Sequence, residues 1–326
     1  MGSNMRGVTR RAFAIGCAAL LTASQFAITA AQASDYPAKD IQYVVTAGVG
    51  GGSDILARTL AKVIQEKQLI PVNILVENRT GGSGAVGYSY INAQEGNSYT
   101  LGGVGVSFFT TPLLGKMPIN YKNFTPLAAI ARSPYILAVA NTSPIKTIDD
   151  LKAAKGLKIG TAGAVSDPAI LAHITNKQLG TDIKVVPYDG EGEVIAAILG
   201  GHLDLLYGNP NEILEQVKAG TLRPLAVTSP ERMTSLAEVP TFKELGYDIV
   251  HTQLRGIIMP SGVPAETVAY WEGILKTVAE SPEWQAQYVD RFNETPLYLN
   301  SAEFGAAMVE TSARYESVMR DLGLAK

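Results

Sequence analysis

The chain has 326 residues, of which 46% are hydrophobic and 17% are charged, and its formal net charge is −3. This composition excludes a disordered chain, and the acidic balance argues against nucleic acid or an anionic membrane surface as a partner. The length indicates about two domains.

Residues 1–33 are typical of an export signal peptide. Arg10 and Arg11 precede an apolar stretch over 14–30, and Ala31-Gln32-Ala33 offers a small-residue cleavage site. We predict cleavage near Ala33 and a periplasmic mature protein, with Sec and twin-arginine export both open. Cys17 is the one cysteine of the chain and lies in this leader. The mature protein therefore has no disulfide, thiol nucleophile or thiolate metal site.

After the leader, strand-like apolar runs alternate with helical periods, which is typical of an α/β fold. A helix is predicted to start at Ser53 or Asp54, where Ile55, Leu56 and Leu60 begin a helical spacing. A second glycine-rich loop, 77–87, opens another helix. The strands predicted in this half are 41–46, 72–76, 99–106 and 135–140.

The same order recurs after residue 140. Asp167-Pro168 predicts the start of a helix. The later predicted strands are 157–160, 185–188, 203–207, 225–228 and 257–259, and the predicted helices are 169–179, one ending at 199, 264–279, 282–292 and 301–322.

This pattern predicts two similar lobes with parallel-type sheets, joined by crossover strands. The first lobe comprises 34–138 and 256–326, and the second comprises 139–255. Ligands bind such folds at the carboxyl ends of the sheets, so we expect a cleft between the lobes.

Two glycine-rich loops stand at predicted strand-to-helix turns. They are Gly50-Gly51-Gly52-Ser53-Asp54 and Gly81-Gly82-Ser83-Gly84. Glycine lets a ligand approach the main-chain amides, and a helix N-terminus presents free N–H groups with partial positive charge. Together these features predict an anion site that needs no lysine or arginine. Tight turns without a ligand are the structural alternative.

Other chemistry has weaker support in the sequence. Gly82 to Gly87 matches G-x-G-x-x-G, but the glycines do not directly follow the strand, and Leu101-Gly102-Gly103 stands where an acidic residue would end the next strand. No G-x-S-x-G motif or metal-ligand spacing of histidines is present. Arg255 could pair with a ligand carboxylate or form a salt bridge across the hinge.

Several motifs resemble the receptors of tripartite tricarboxylate transporters, the TctC or Bug family. The similarity spans residues 36–324. The motifs that carry it are 51–58, with the sequence Gly-Gly-Ser-Asp-Ile-Leu-Ala-Arg, and 76–81, 188–190, 200–204 and 239–247.

The resemblance implies a type II-like periplasmic binding protein with a ligand cleft at its hinge. It implies a receptor rather than an enzyme, with no cofactor and no metal, that passes a di- or tricarboxylate or aromatic acid to the transporter subunits and acts as a monomer. A periplasmic sensor for a signalling kinase and a dinucleotide-dependent oxidoreductase remain alternatives. The ligand-binding residues that it implies are Gly51, Gly52, Ser53, Asp54, Gly82, Ser83, Gly84, Ser107, Ala164, Val165, Ser166 and Asn209.

Overall fold

The computed structural model describes residue 1 and residues 36–163, 165–188 and 190–325. The predicted leader after Met1, with its cleavage site and Cys17, lies outside the described residues. Met1–Ala38 and Lys39–Lys326 are separate compact units, and the α/β fold belongs to the second of them. Across the part of the chain that is described, no helix is both long and apolar enough to cross a membrane.

Strands and helices alternate along the chain. The strands are β1 (Ile41–Val45), β2 (Ile74–Asn78), β3 (Thr100–Val104), β4 (Phe124–Pro134), β5 (Ile136–Ala140), β6 (Lys158–Ala162), β7 (Lys184–Tyr188), β8 (Leu205–Gly208), β9 (Leu222–Val227), β10 (Thr252–Pro260) and β11 (Thr295–Leu299). The helices are α1 (Gly52–Glu66), α2 (Ala85–Asn92), α3 (Val106–Leu113), α4 (Ile148–Ala153), α5 (Asp167–Leu179), α6 (Glu191–Leu199), α7 (Pro210–Lys218), α8 (Ala265–Ala279), α9 (Pro282–Trp284) and α10 (Ser301–Asp321).

The strands form two mixed sheets, which confirms the two-lobed α/β fold. The first sheet has the order β11-β4-β10-β3-β1-β2 and the second has the order β7-β6-β8-β5-β9. The pairs β1–β2, β1–β3, β6–β7 and β6–β8 are parallel, as expected. Strands β4, β5, β9 and β10 pair antiparallel with their neighbours, because the chain enters and leaves the second sheet through them. We call each sheet with its helices a lobe.

Helix α1 illustrates how an apolar face at helical spacing packs on a sheet. The residues that recur at helical spacing, Leu56, Leu60, Val63 and Ile64, are at most 1% exposed, so the predicted apolar face packs on the sheet. The helices that follow β1, β2, β3, β6, β7 and β8 all begin at the carboxyl ends of their strands. Their N-termini therefore lie at the sheet edges where ligands of such folds bind.

Some elements were not predicted. Strand β4 carries Pro126, Pro134 and three alanines, and β11 begins Thr295-Pro296, so neither has the β-branched pattern typical of a strand. Tertiary pairing with β10 stabilises β4, and β4 in turn pairs with β11. Helix α3 follows the predicted strand and loop over 99–106 and was not itself predicted. The predicted helix 282–292 is a short α9 followed by a π-helical segment over Gln285–Asp290.

Gly256 fixes the path of β10. The strand changes register between Arg255 and Gly256, and Gly256 pairs with both Val104 and Ala129. A Cβ atom at Gly256 would overlap the ring of Phe304, which is fully buried in α10. Only glycine lets α10 pack this closely on β10.

We predict that Gly256→Ala destabilises the fold by about 1–3 kcal/mol, because the added methyl group overpacks a rigid core. Phe304→Leu in the same chain should recover part of the loss. Gly305→Ala is the control, since its Cβ would meet only Pro126 at 3.5 Å inside a helix. Denaturant unfolding measures all four proteins, and a midpoint for Gly256→Ala equal to that of the wild type would contradict the packing argument.

Candidate functional site

The first glycine-rich loop faces the second lobe. Gly51 is the N-cap of α1 and provides no side-chain cap, so the first N–H groups of this helix have no side-chain acceptor at the cap. Gly52 is buried, and a Cβ atom placed on it would lie 2.7 Å from Arg255 Nη2 and 3.0 Å from Asn211 Nδ2. The missing side chain of Gly52 therefore lets a guanidinium and an amide approach the start of α1.

The next two predicted residues have different surroundings. Half-buried Ser53 lies near the loop before α3, where a Cβ on Gly105 would stand 3.6 Å from Ser53 Oγ. The carboxylate of Asp54 accepts hydrogen bonds from Gly50 N at 2.9 Å, from Asn78 Nδ2 at 2.9 Å and from Arg58 Nε at 3.0 Å. Burial raises the pKa of Asp54, but these donors lower it further, so the group is a carboxylate that anchors the loop.

The second loop has left-handed backbone at Gly82, Ser83 and Gly84, with φ of 57°, 54° and 85°. Gly82 and Ser83 are exposed, and the Ser83 carbonyl accepts a hydrogen bond from Thr111 Oγ1 at 2.7 Å. Gly84 is buried, and a Cβ on it would lie 2.9 Å from Ser107 Oγ. The structure thus brings Gly84 and Ser107 together but leaves Gly82 and Ser83 at the surface.

In the second lobe, Ala164 lies outside the described residues. The carbonyl of Val165 accepts a long hydrogen bond of 3.5 Å from Thr110 Oγ1 of the first lobe, and Ser166 is the N-cap of α5. Asn209 is the N-cap of α7 and is 3% exposed. Its Nδ2 donates to the Pro134 carbonyl at 2.9 Å, which ties the start of α7 to the end of β4 in the first lobe.

Arg255 lies between the two lobes and is 2% exposed. Its Nε and Nη2 donate to Ser133 Oγ at 3.1 and 2.9 Å, and Nη2 donates to Asn209 Oδ1 at 3.3 Å. Glu294 Oε1 lies 4.0 Å from Nη2. Sequence reasoning left open whether this arginine meets a ligand or a salt-bridge partner, and the structure places it next to both Gly52 and Glu294.

Glu294 is a buried acid that partly balances this arginine. It also hydrogen-bonds Ser133 Oγ, while its Oε1 has no hydrogen-bond partner among the described residues. Burial raises the pKa of Glu294 to about 7, although Arg255 and the Ser133 hydroxyl each lower it. The charge facing Arg255 therefore changes near neutral pH.

Sequence reasoning missed three polar residues at the helix starts of the second lobe. Asn211 approaches Gly52, and Glu212 Oε2 accepts from Asn209 N at 2.9 Å. Glu191 begins α6, and the charge of Glu212 acts on it. The sequence could have indicated these residues as site candidates, because each lies in the first turn of a helix that follows a strand of the second sheet.

A second buried cluster joins the lobes around Asp167, which is 0% exposed. Its Oδ1 lies 2.8 Å from His251 Nε2 and accepts from Tyr315 Oη at 2.5 Å, while Oδ2 accepts from Tyr135 Oη at 2.8 Å. Burial raises the pKa of Asp167, but His251 and the hydrogen bonds lower it below its ordinary value. The sequence indicated only a helix start here, whereas the side chain links α5 to α10 and to both connecting segments.

Of two surface cavities, one lies away from the predicted site and the other touches it at Val165. An open groove of about 520 Å³ runs between α1 and β2, and none of its lining residues belongs to the predicted site. A smaller cavity of about 190 Å³ includes Val165 and lies against α5 and the end of the chain. Within the described ranges, no group of three or more metal-ligating side chains comes together.

Comparison with known proteins identifies the family. The model for the tripartite tricarboxylate transporter family receptor, TctC, matches residues 56–324. A UPF0065 protein in the gbd 5′ region of Cupriavidus necator is 29% identical over 308 residues, which cover 91% of each chain. Protein BugT of Bordetella pertussis is 27% identical over 304 residues, covering 89% of this chain and 91% of BugT.

Solved structures share the fold. A TctC solute-binding protein from Polaromonas is 26% identical, with a TM-score of 0.71 over 88% of this chain and 99% of that one. R. palustris Rpa4515 with adipate is 25% identical, with a TM-score of 0.82 over 89% of this chain and 99% of that one. These matches confirm the resemblance drawn from the motifs. The chain belongs to the tripartite tricarboxylate transporter receptor family.

Proposed function

We propose that this protein is a periplasmic receptor that captures a small organic carboxylate between its lobes and delivers it to a transporter of the tripartite tricarboxylate type. The mature chain acts as a monomer, without catalysis and without a cofactor. In this proposal the two lobes move relative to each other, and the predicted boundaries at 138/139 and 255/256 fall within the strands β5 and β10 through which the chain passes between them.

The close approach of Arg255 to the start of α1 at Gly52 carries the proposal. The start of α1 offers N–H groups and the positive end of the helix dipole, and Arg255 adds a full positive charge beside them. Both donors lie in a water-poor setting, where a charge-assisted hydrogen bond to a carboxylate is strong. A carboxylate that displaces the direct approach of Arg255 to Gly52 would receive donors from both.

Arg255 changes the expected mode of carboxylate binding. Sequence reasoning predicted an anion held by main-chain amides without a cationic side chain. The proposed grip combines the amides of α1 with a buried guanidinium, which the Ser133 and Asn209 side chains hold in place. Rpa4515, which is described with adipate, is a relative whose ligand fits this chemistry.

Residues from both lobes would couple binding to closure. Gly52 belongs to the first lobe, whereas Asn209 and Asn211 belong to the second. A ligand that touches all three binds the closed arrangement better than an open one, so it shifts the population toward closure. The Asp167 cluster provides contacts between the lobes that do not involve the ligand.

A dinucleotide-dependent oxidoreductase receives no support from the second loop. Residues 79–84 separate the end of β2 from the start of α2, so its glycines do not directly follow the strand. Family membership supports a receptor in place of an enzyme.

We predict that Gly52→Ala weakens carboxylate binding by about tenfold or more, because the methyl group occupies the space between α1 and Arg255. Titration calorimetry with a panel of aliphatic and aromatic carboxylates, and with sugars as negative controls, measures the effect. Gly48→Ala is the matched control, since a Cβ on Gly48 meets nothing within 4 Å. If both variants bind acids like the wild type, the carboxylate site lies elsewhere.

We also predict that carboxylate affinity falls by roughly 3- to 10-fold as pH rises from about 6 to about 8. The pKa of Glu294 is raised to about 7, so Glu294 is neutral at the lower pH and leaves the charge of Arg255 to the ligand. At the higher pH the ionised Glu294 offsets that charge. Glu294→Gln should flatten this dependence, while the exposed Glu310→Gln should not. Equal slopes in all three proteins would contradict the prediction.

A further inference from the structure

At the starts of α6 and α7, the second lobe has polar atoms that are shielded from solvent and have no hydrogen-bond partner among the described residues. They are Asn211 Nδ2, Asn211 Oδ1 and Glu191 Oε1. Asn211 Nδ2 would lie 3.0 Å from a Cβ on Gly52, so this amide reaches the proposed carboxylate site. Buried polar atoms without partners cost free energy, and a ligand that pairs them recovers it.

Acidic side chains outnumber basic ones around this site. The charge of Glu212 acts on Glu191, on Arg255 and on Glu294, so three carboxyl groups share the surroundings of one guanidinium. Burial raises the pKa of Glu191 well above its ordinary value, and the nearby Glu212 raises it further. Two neighbouring buried carboxyl groups resist ionising together unless a cation joins them.

The chemistry of a fitting ligand follows from this balance. A dicarboxylate would add two negative charges to a region that already holds an excess of acids. A molecule with one carboxylate and one positively charged nitrogen adds no net charge, and its nitrogen donates the hydrogen bonds that Glu191 Oε1 and Asn211 Oδ1 can accept.

We propose that Glu191 and Asn211 determine specificity by reading a hydrogen-bond-donating, positively charged nitrogen of the ligand, which makes the preferred ligand an amino-bearing carboxylate. The inference rests on the proposed function, in which the carboxylate of the same molecule binds between Gly52 and Arg255. Glu191 and Asn211 stand at the starts of α6 and α7, so both contacts form only when the second lobe closes on the ligand.

The test uses sets of acids with equal chain length, at four, five and six carbons. Each set contains the unsubstituted monocarboxylate, the dicarboxylate, the ω-amino acid and the α-amino acid. Titration calorimetry at neutral pH gives the affinity of each for the wild type, Glu191→Gln and the control Glu193→Gln, which changes an exposed residue two positions along the same helix. Thermal melts verify that all three proteins are folded.

The wild type should bind an amino-bearing acid about tenfold or more tighter than the monocarboxylate and dicarboxylate of equal length. Glu191→Gln should remove most of that preference while changing monocarboxylate affinity by less than about threefold. Glu193→Gln should keep the preference.

Two results would overturn the inference but leave the proposed function standing. In the first, a dicarboxylate binds tightest and Glu191→Gln weakens it, so a protonated Glu191 donates to a second carboxylate. In the second, amino-bearing acids bind but Glu191→Gln does not affect them. If no acid of any set binds the wild type, this inference fails, and if the wider aliphatic and aromatic panel also shows no binding, the proposed function fails with it.

Discussion

The candidate site is built around the buried guanidinium of Arg255. Arg255 lies in β10, the strand that returns the chain to the first sheet, and its guanidinium is held by Ser133 and Asn209 from the strand β4 and the helix α7. Burying a charge is costly unless it is paired and hydrogen-bonded, and Glu294 and Ser133 provide that compensation on one side. On the other side, Gly52 leaves the guanidinium facing the start of a helix, where an anion would be stabilised twice.

The fold brings these groups together by simple topology. Antiparallel β4 and β10 run side by side in the first sheet and lead into and out of the second, so Ser133 and Arg255 stand near the point where the chain passes between lobes. Asp167 links the same region to α10 through Tyr315, and to the connecting segments through Tyr135 and His251. The proposed ligand contacts and the interlobe contacts are therefore neighbours, which suits a receptor whose binding and closure are one equilibrium.

The sequence predicted much of the fold but a smaller part of the candidate site. Apolar periodicity is strong in α1 and in the buried central strands, and those predictions are confirmed. Strand β4 was not predicted, because its alanines and prolines have weak strand preference. It is stabilised by pairing with strands that are distant in sequence. The glycine loops were identified from local sequence. The proposed roles of Arg255, Glu191 and Asn211 could not be predicted in this way, because they depend on how segments far apart in the chain come together. Asp54 and Ser83 lie in the motifs that predicted ligand contacts, but their observed hydrogen bonds stabilise the loops. The Asp54 carboxylate accepts from Asn78, and the Ser83 carbonyl accepts from Thr111.

A crystal structure of the protein with its tightest-binding acid tests the central claim most directly. The account predicts a carboxylate with oxygens about 3 Å from the Gly52 main-chain N–H and from the Arg255 guanidinium, enclosed by both lobes. A ligand bound in the groove between α1 and β2, with Arg255 still against Gly52, would contradict it.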